Sequence, residues 1–197
     1  MLRIFSAVTV CTILATQMPS KALSSTATLG KRFIQFLQAS FKRKTSFYTT
    51  KASYQQKGSR VDCVKRTKIP SVGTRTRLCM QSKLNNQRLQ PKPVKITYRR
   101  ERKCNVVTES WDNHKHTLTI LYVGDTCVVY RVKGKKPLTP GKDACGIWRK
   151  NIVYPLPEND ECQGNATEAC GSDWRDISSY NKCTRVQTPK CKDYQDE

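Results

Sequence analysis

Past Thr45 the chain alternates apolar and polar residues with a period of two, in short runs broken by turn residues. Ser46 to Tyr54 is the first run, rich in Tyr, Phe and Thr. Arg60 to Ile69 stops at Pro70, Arg75 to Leu84 stops at Asn85-Asn86, and Lys92 to Arg99 begins between the two prolines Pro91 and Pro93. Cys104 to Trp111 stops at Asp112-Asn113, Lys115 to Val123 at Gly124-Asp125, Cys127 to Lys133 at Gly134, and Ala144 to Tyr154 at Pro155. A period of two puts successive side chains on opposite faces of a strand, and Gly, Pro, Asn and Asp supply the turns between. Eight such runs without a helix-length gap predict an all-β fold, an antiparallel meander closed most economically into a barrel. An open sandwich is the alternative. Ahead of them, Leu29 to Phe41 spaces Phe33, Ile34, Phe36, Leu37 and Phe41 as one short amphipathic helix requires. Lys42-Arg43-Lys44 then places positive charge at its C-terminus, where the helix dipole favours it.

Alternation also assigns faces. In the seventh run Val128, Tyr130 and Val132 form an apolar row expected to face inward, with Cys127, Arg131 and Lys133 opposite. In the eighth, Gly146 and Trp148 share a face, with Cys145 and Arg149 on the other. Cys127 and Cys145 should therefore point out of the barrel, towards whatever the C-terminal segment lays against it. Eight strands leave room inside for one small ligand.

The chain has 197 residues, enough for one domain with a real core. Residues 1–22 are expected to be a secretory signal peptide: Arg3 supplies the positive start, Ile4 to Thr16 is apolar, and Ser20-Lys21-Ala22 offers small residues for cleavage. Ser25-Thr26-Ala27 is a second possible cleavage point. Residues 23–197 are then a single soluble, extracellular domain, since no later stretch is apolar for long enough to span a bilayer. Export gives the ten cysteines their meaning. Cys11 leaves with the signal, and nine remain as disulfide partners, an odd number that leaves one thiol over. A metal site would need clustered Cys and His, and the chain has only His114 and His116. Those two share one strand face or sit exposed at a hairpin end. No cofactor motif is present.

Charge changes the picture further. The formal net charge is +21, and residues 23–157 hold 29 bases and six acids while residues 158–197 hold five bases and nine acids. Lys92, Lys95, Arg99, Arg100, Arg102 and Lys103 form one dense basic stretch, and Lys133, Lys135, Lys136 and Lys142 another. Such a body attracts anionic partners at long range. Asn165-Ala166-Thr167 is the one N-glycosylation sequon after the signal, in a polar stretch.

A helix, eight strands and a cysteine-bearing C-terminal segment together resemble the tick salivary lipocalins, the tick histamine-binding family. Arg60-Val61-Asp62-Cys63-Val64 resembles the second-strand cysteine of that family, and Asp125-Thr126-Cys127-Val128-Val129 the cysteine opening its seventh strand. Cys145-Gly146-Ile147-Trp148 is similar to its Cys-Glu-Leu-Trp, and Tyr180-Asn181-Lys182-Cys183 to its closing Tyr-x-x-Cys. The resemblance implies an eight-stranded lipocalin-like barrel with a short N-terminal helix and a disulfide-tethered C-terminal helical segment. It implies that Cys63 pairs with Cys183 and Cys127 with Cys162, and that Cys145 with Cys170 is an extra bridge of some members. It leaves Cys79, Cys104 and Cys191 unpaired.

Members that bind biogenic amines carry an acid after the seventh-strand cysteine and the Glu of Glu-Leu-Trp. Here those positions are Val128 and Gly146. A buried ammonium without a counter-charge costs several kcal/mol, so histamine or serotonin is disfavoured. The resemblance therefore implies a monomeric salivary scavenger of a small host mediator, an amphipathic or anionic lipid such as a leukotriene or fatty acid. Arg66, on a strand face with Asp62 and Val64, is the candidate for its carboxylate. Tyr130 and Trp148 would pack the tail, and Gly146 would leave space for an acyl chain. The competing reading is binding of an anionic glycan, membrane or host protein by the basic outer surface. Nucleic acid is disfavoured without a stacking-aromatic motif, and an enzyme without a recognisable nucleophile and base.

Overall fold

A computed structural model of the chain describes residues 26–42, 46–55, 61–68, 76–84, 87–101, 104–150, 160–178, 183 and 191. The expected signal peptide and the turn at Pro155 lie outside them. The amphipathic spacing becomes helix α1 (Thr26–Lys42), whose Phe33, Phe36 and Leu37 are buried while Lys31, Arg32 and Gln35 face solvent. Each alternating run becomes a strand: β1 (Phe47–Ala52), β2 (Val61–Lys68), β3 (Thr76–Leu84), β5 (Lys92–Glu101), β6 (Cys104–Trp111), β7 (His114–Val123), β8 (Cys127–Val132) and β9 (Cys145–Arg149). Two-residue strands β4 (Gln87–Arg88) and β10 (Arg175–Asp176) were not foreseen; they pair with β3 and β1 at the margins.

All pairings are antiparallel, and β1 pairs with both β2 and β9, so the eight long strands close into a barrel and the sandwich alternative falls away. Closure removes the free edges that an open sheet would present. Inward rows from β1, β3 and β5 to β9 meet in one core: Phe47, Leu78, Val94, Ile96, Val107, Leu118, Ile120, Val128, Tyr130, Val132 and Trp148.

Helix α1 packs against β6 and β7 and stoppers one end of the barrel with Phe33, Phe36 and Leu37. Its approach depends on Gly30. A Cβ there would fall 2.0 Å from the Tyr98 hydroxyl and 2.8 Å from Asn105 Oδ1, and those two atoms are already joined by a 2.6 Å hydrogen bond.

Helix α2 (Glu161–Cys170) lies outside the barrel. Asp160 caps it, accepting from the Cys162 backbone N–H at 3.0 Å, and the same carboxylate accepts from buried Arg149 of β9. Bridges Cys127–Cys162 and Cys145–Cys170 fasten both ends of the helix to β8 and β9, with Val129, Ile147 and Ala166 packed between. Cys63–Cys183 anchors the chain beyond α2 to β2. Cys79, left without a partner in the sequence reading, joins Cys191 across 112 residues. Among the described residues no cysteine is free, and the side chain of Cys104, the remaining one of the nine, lies outside them.

Candidate functional site

Trp148 organises the barrel interior. Its fully buried ring contacts Tyr130, Phe47 and Phe33 at centroid distances of 4.8, 5.3 and 6.3 Å. Together with Val128 and the α1 stopper these rings make a solid aromatic floor. The Arg66 guanidinium lies on that floor, 5.2 Å from the Trp148 ring centroid and 5.8 Å from that of Phe47. Aromatic faces of this kind stabilise a cation held over them.

Arg66 is not alone there. Its Nε donates to Glu109 Oε1 at 2.9 Å, its Nη2 to Glu109 Oε2 at 3.4 Å, and its Nη1 to Thr49 Oγ1 at 2.7 Å. The two side chains are only 6% and 3% exposed. The paired carboxylate is what lets a guanidinium sit in a barrel core, since an isolated buried charge is too costly to keep.

Above this pair opens a cavity of about 260 Å³. Val61, Val64, Met80, Leu118, Val132 and Ile177 supply its apolar walls, and Thr49, Tyr54, Ser82, Tyr130 and His116 its polar points. Its rim is formed by Trp111 and the exposed Lys135. Small-molecule sites usually span about 300–1,000 Å³, so this one is small. Burial holds His116 below the ordinary histidine range; Glu109 opposes that shift, and Lys135, Arg66 and His114 reinforce it. His116 is therefore neutral at pH 7. Burial pushes the Tyr130 and Tyr54 hydroxyls upward, so both remain protonated hydrogen-bonding groups.

The candidate residues divide between wall and floor. Arg66 and Tyr130 line the cavity, whereas Val128, Gly146 and Trp148 belong to the packed floor beneath it. Arg66, the candidate partner for a ligand carboxylate, is already held by Glu109. Gly146 does not leave room for an acyl chain either. The Tyr130 ring occupies that space, with Cζ and the hydroxyl both 2.5 Å from where a Cβ would stand. The side chain of Asp62 lies outside the described residues. Of the histidine pair, His114 is exposed at the hairpin while His116 faces the cavity, its ring edge-on to Trp111 at 4.7 Å. Among the described residues no group of three or more potential ligands is placed to hold a metal ion.

Glu109 is the functional residue that the sequence reading missed. Its signal was there: in the run Cys104 to Trp111 it falls in register with Val107 and Trp111, an acid in an inward row. Asn165 stands exposed on α2, on the face turned away from the barrel.

The sequence matches no protein-family model and no curated protein. Its fold does have solved relatives. Lobster apocrustacyanin A1 superposes with a TM-score of 0.55 at 10% identity, over 78% of this chain and 85% of that one. Japanin from Rhipicephalus appendiculatus, solved bound to cholesterol, gives 0.50 at 12% identity over 68% and 92%. Apocrustacyanin C2 gives 0.50 at 10% identity over 76% and 86%. At such identities the likeness establishes the architecture, a lipocalin barrel.

Proposed function

We propose that this protein is a secreted lipocalin, residues 23–197 after signal cleavage, that sequesters a small amphipathic anion within its barrel. It works by binding and not by catalysis, and it is akin to the tick histamine-binding family without that family's amine specificity. The observation that carries this reading is the bidentate Arg66–Glu109 pair. It neutralises the cavity's one carboxylate among the described lining residues, so an entering ammonium would have to compete with a guanidinium for Glu109. His116 is neutral, which leaves Lys135 at the rim as the remaining permanent charge.

A carboxylate resting against Lys135 with its chain directed towards Leu118 and Val132 satisfies both features. Each methylene buried contributes about 0.8 kcal/mol, so six contribute roughly 5 kcal/mol. An exposed ion pair at the rim adds only about 0.2–1 kcal/mol. Chain fit thus sets affinity, and charge sets preference. The cavity volume favours a medium-length chain over a leukotriene or a twenty-carbon fatty acid. That Japanin, of similar fold, was solved bound to cholesterol supports an apolar ligand for this protein. Export from the cell is supported by the four bridges among the described cysteines, and the exposed Asn165 is then open to glycosylation.

Calorimetry on delipidated protein with decanoate, arachidonate, histamine and serotonin tests the reading. Decanoate should bind most tightly and the amines not at all. Sub-micromolar histamine binding without binding of either carboxylate would overturn it.

A further inference from the structure

The sequence shows two basic stretches separated by some thirty residues, but the strand register assembles a different group. Lys95 of β5 pairs with Arg77 of β3 on one side and with Ser110 of β6 on the other, and Ser110 pairs with Lys115 of β7. Arg77, Lys95, Ser110 and Lys115 therefore form one row running across four adjacent strands. All four lie on the outer face, because their strand neighbours Leu78, Val94, Ile96 and Glu109 face inward and are buried. Beside this row runs a second, Thr97, Thr108 and Thr117, from the β5–β6 and β6–β7 pairings. Lys133 closes that row, its backbone N–H donating to the Thr117 carbonyl at 3.0 Å. At about 4.8 Å per strand, Lys95 and Lys115 stand roughly 10 Å apart on a rigid surface.

Among the described side chains, acids are kept away from this face. On the described side chains of β3, β5, β6 and β7 the carboxylate is Glu109, turned inward. Asp112 at the hairpin is taken by Lys92 at 2.8 Å. Helix α2, with Glu161 and Glu168, sits at the other end of β7, where Tyr122 donates to Glu161. A flat field of one sign beside a row of hydroxyls suits a polyanion that offers repeated charge and many oxygen acceptors.

We infer that the outer face of β3, β5, β6 and β7 is a docking surface for a sulfated glycosaminoglycan, centred on Lys95 and Lys115. The other polyanions lack their anchors here. Membrane attachment needs apolar side chains beside the basic ones, and the one exposed large apolar side chain among the described residues is Leu89. Single-stranded nucleic acid needs exposed aromatic stacking platforms, yet Tyr98 and Trp111 belong to the inner rows. A protein partner is usually held by aromatic anchors in a core depleted of lysine, the reverse of this composition. This inference is independent of the cavity, and Lys135 is left untouched in its test.

The test compares K95Q/K115Q with the charge-matched control K31Q/K142Q, whose lysines lie on α1 and beside α2. Heparin binding is measured by calorimetry at several salt concentrations, with decanoate binding and thermal melting as checks on cavity and fold. For wild type, heparin should bind at 0.15 M salt, a deliberately stringent setting, roughly the physiological ionic strength. In K95Q/K115Q the affinity should fall about tenfold or more and the log–log salt slope by roughly one to two. Decanoate binding should be unchanged, and the control pair should lose less than about threefold in heparin affinity. Equal losses in both pairs would show diffuse charge and no site. Absence of wild-type heparin binding, or tighter binding to phosphatidylserine vesicles than to heparin, would equally overturn the proposal.

Discussion

Replacing Glu109 by Gln keeps the shape of the side chain and removes the charge opposite Arg66. The guanidinium then stays in a site where its side chain is 6% exposed, without its carboxylate. Breaking a buried pair from one side costs about 3–5 kcal/mol. The Trp148 and Phe47 faces at 5.2 and 5.8 Å are in place before and after the change, so they cancel in the difference. The expected loss is about 3–5 kcal/mol, or about 6–20 °C in Tm for a chain of this size. The double replacement R66M/E109L removes both charges at similar volume and should recover stability to within about 1–2 kcal/mol of wild type. Urea melts of the two singles and the double form a closed cycle that isolates the pair. The same variant carries a functional readout. With Arg66 uncompensated, a carboxylate ligand gains a charged hydrogen bond worth about 1.5–3 kcal/mol, so decanoate should bind E109Q about 10–100-fold more tightly. A stability loss below about 1 kcal/mol, or weaker decanoate binding, would refute the reasoning.

Three further outcomes follow from the same geometry. Gly146→Ala drives a methyl group into the Tyr130 ring at 2.5 Å, and overpacking of this kind should cost about 1–3 kcal/mol; a neutral melt would show that the floor yields. Cys63→Ser opens a bridge spanning 120 residues, costing about 4–5 kcal/mol, and thiol labelling should find Cys183; labelling at Cys162 would contradict the bridge. His116 is held below its unfolded value mainly by burial, so the unfolded chain binds its proton first as pH falls. Stability should therefore be fully present above about pH 6.5 and decline as pH drops through the lowered folded value. His116→Gln should flatten that part of the profile of urea midpoints, and an unchanged slope would remove His116 from the account.

The barrel was legible because its strands alternate cleanly and end on Pro, Gly, Asn or Asp, so all eight runs fall within a few residues of their strands. The inward row Val128, Tyr130 and Val132 followed from parity alone. What parity could not show is depth along the barrel. Val128 and Gly146 do face the interior, yet they lie below the cavity, because α1 and the rings of Phe33, Phe47 and Trp148 fill that end. Nor could parity show which inward groups meet across the interior. Arg66 and Glu109 are 43 residues apart, and only closure of the barrel brings them to 2.9 Å. The Cys79–Cys191 bridge was hidden for a similar reason, since its two cysteines stand 112 residues apart and alternation along a strand does not pair them.

Native mass spectrometry of the protein as secreted by a eukaryotic host tests the central claim most directly. The expected result is a population heavier than the chain with its four bridges and an Asn165 glycan, by the mass of an amphipathic acid that organic solvent releases. On delipidation that extra mass should vanish, and it should return on adding decanoate but not histamine. A secreted protein carrying no added mass, and taking up histamine in place of decanoate, would contradict it.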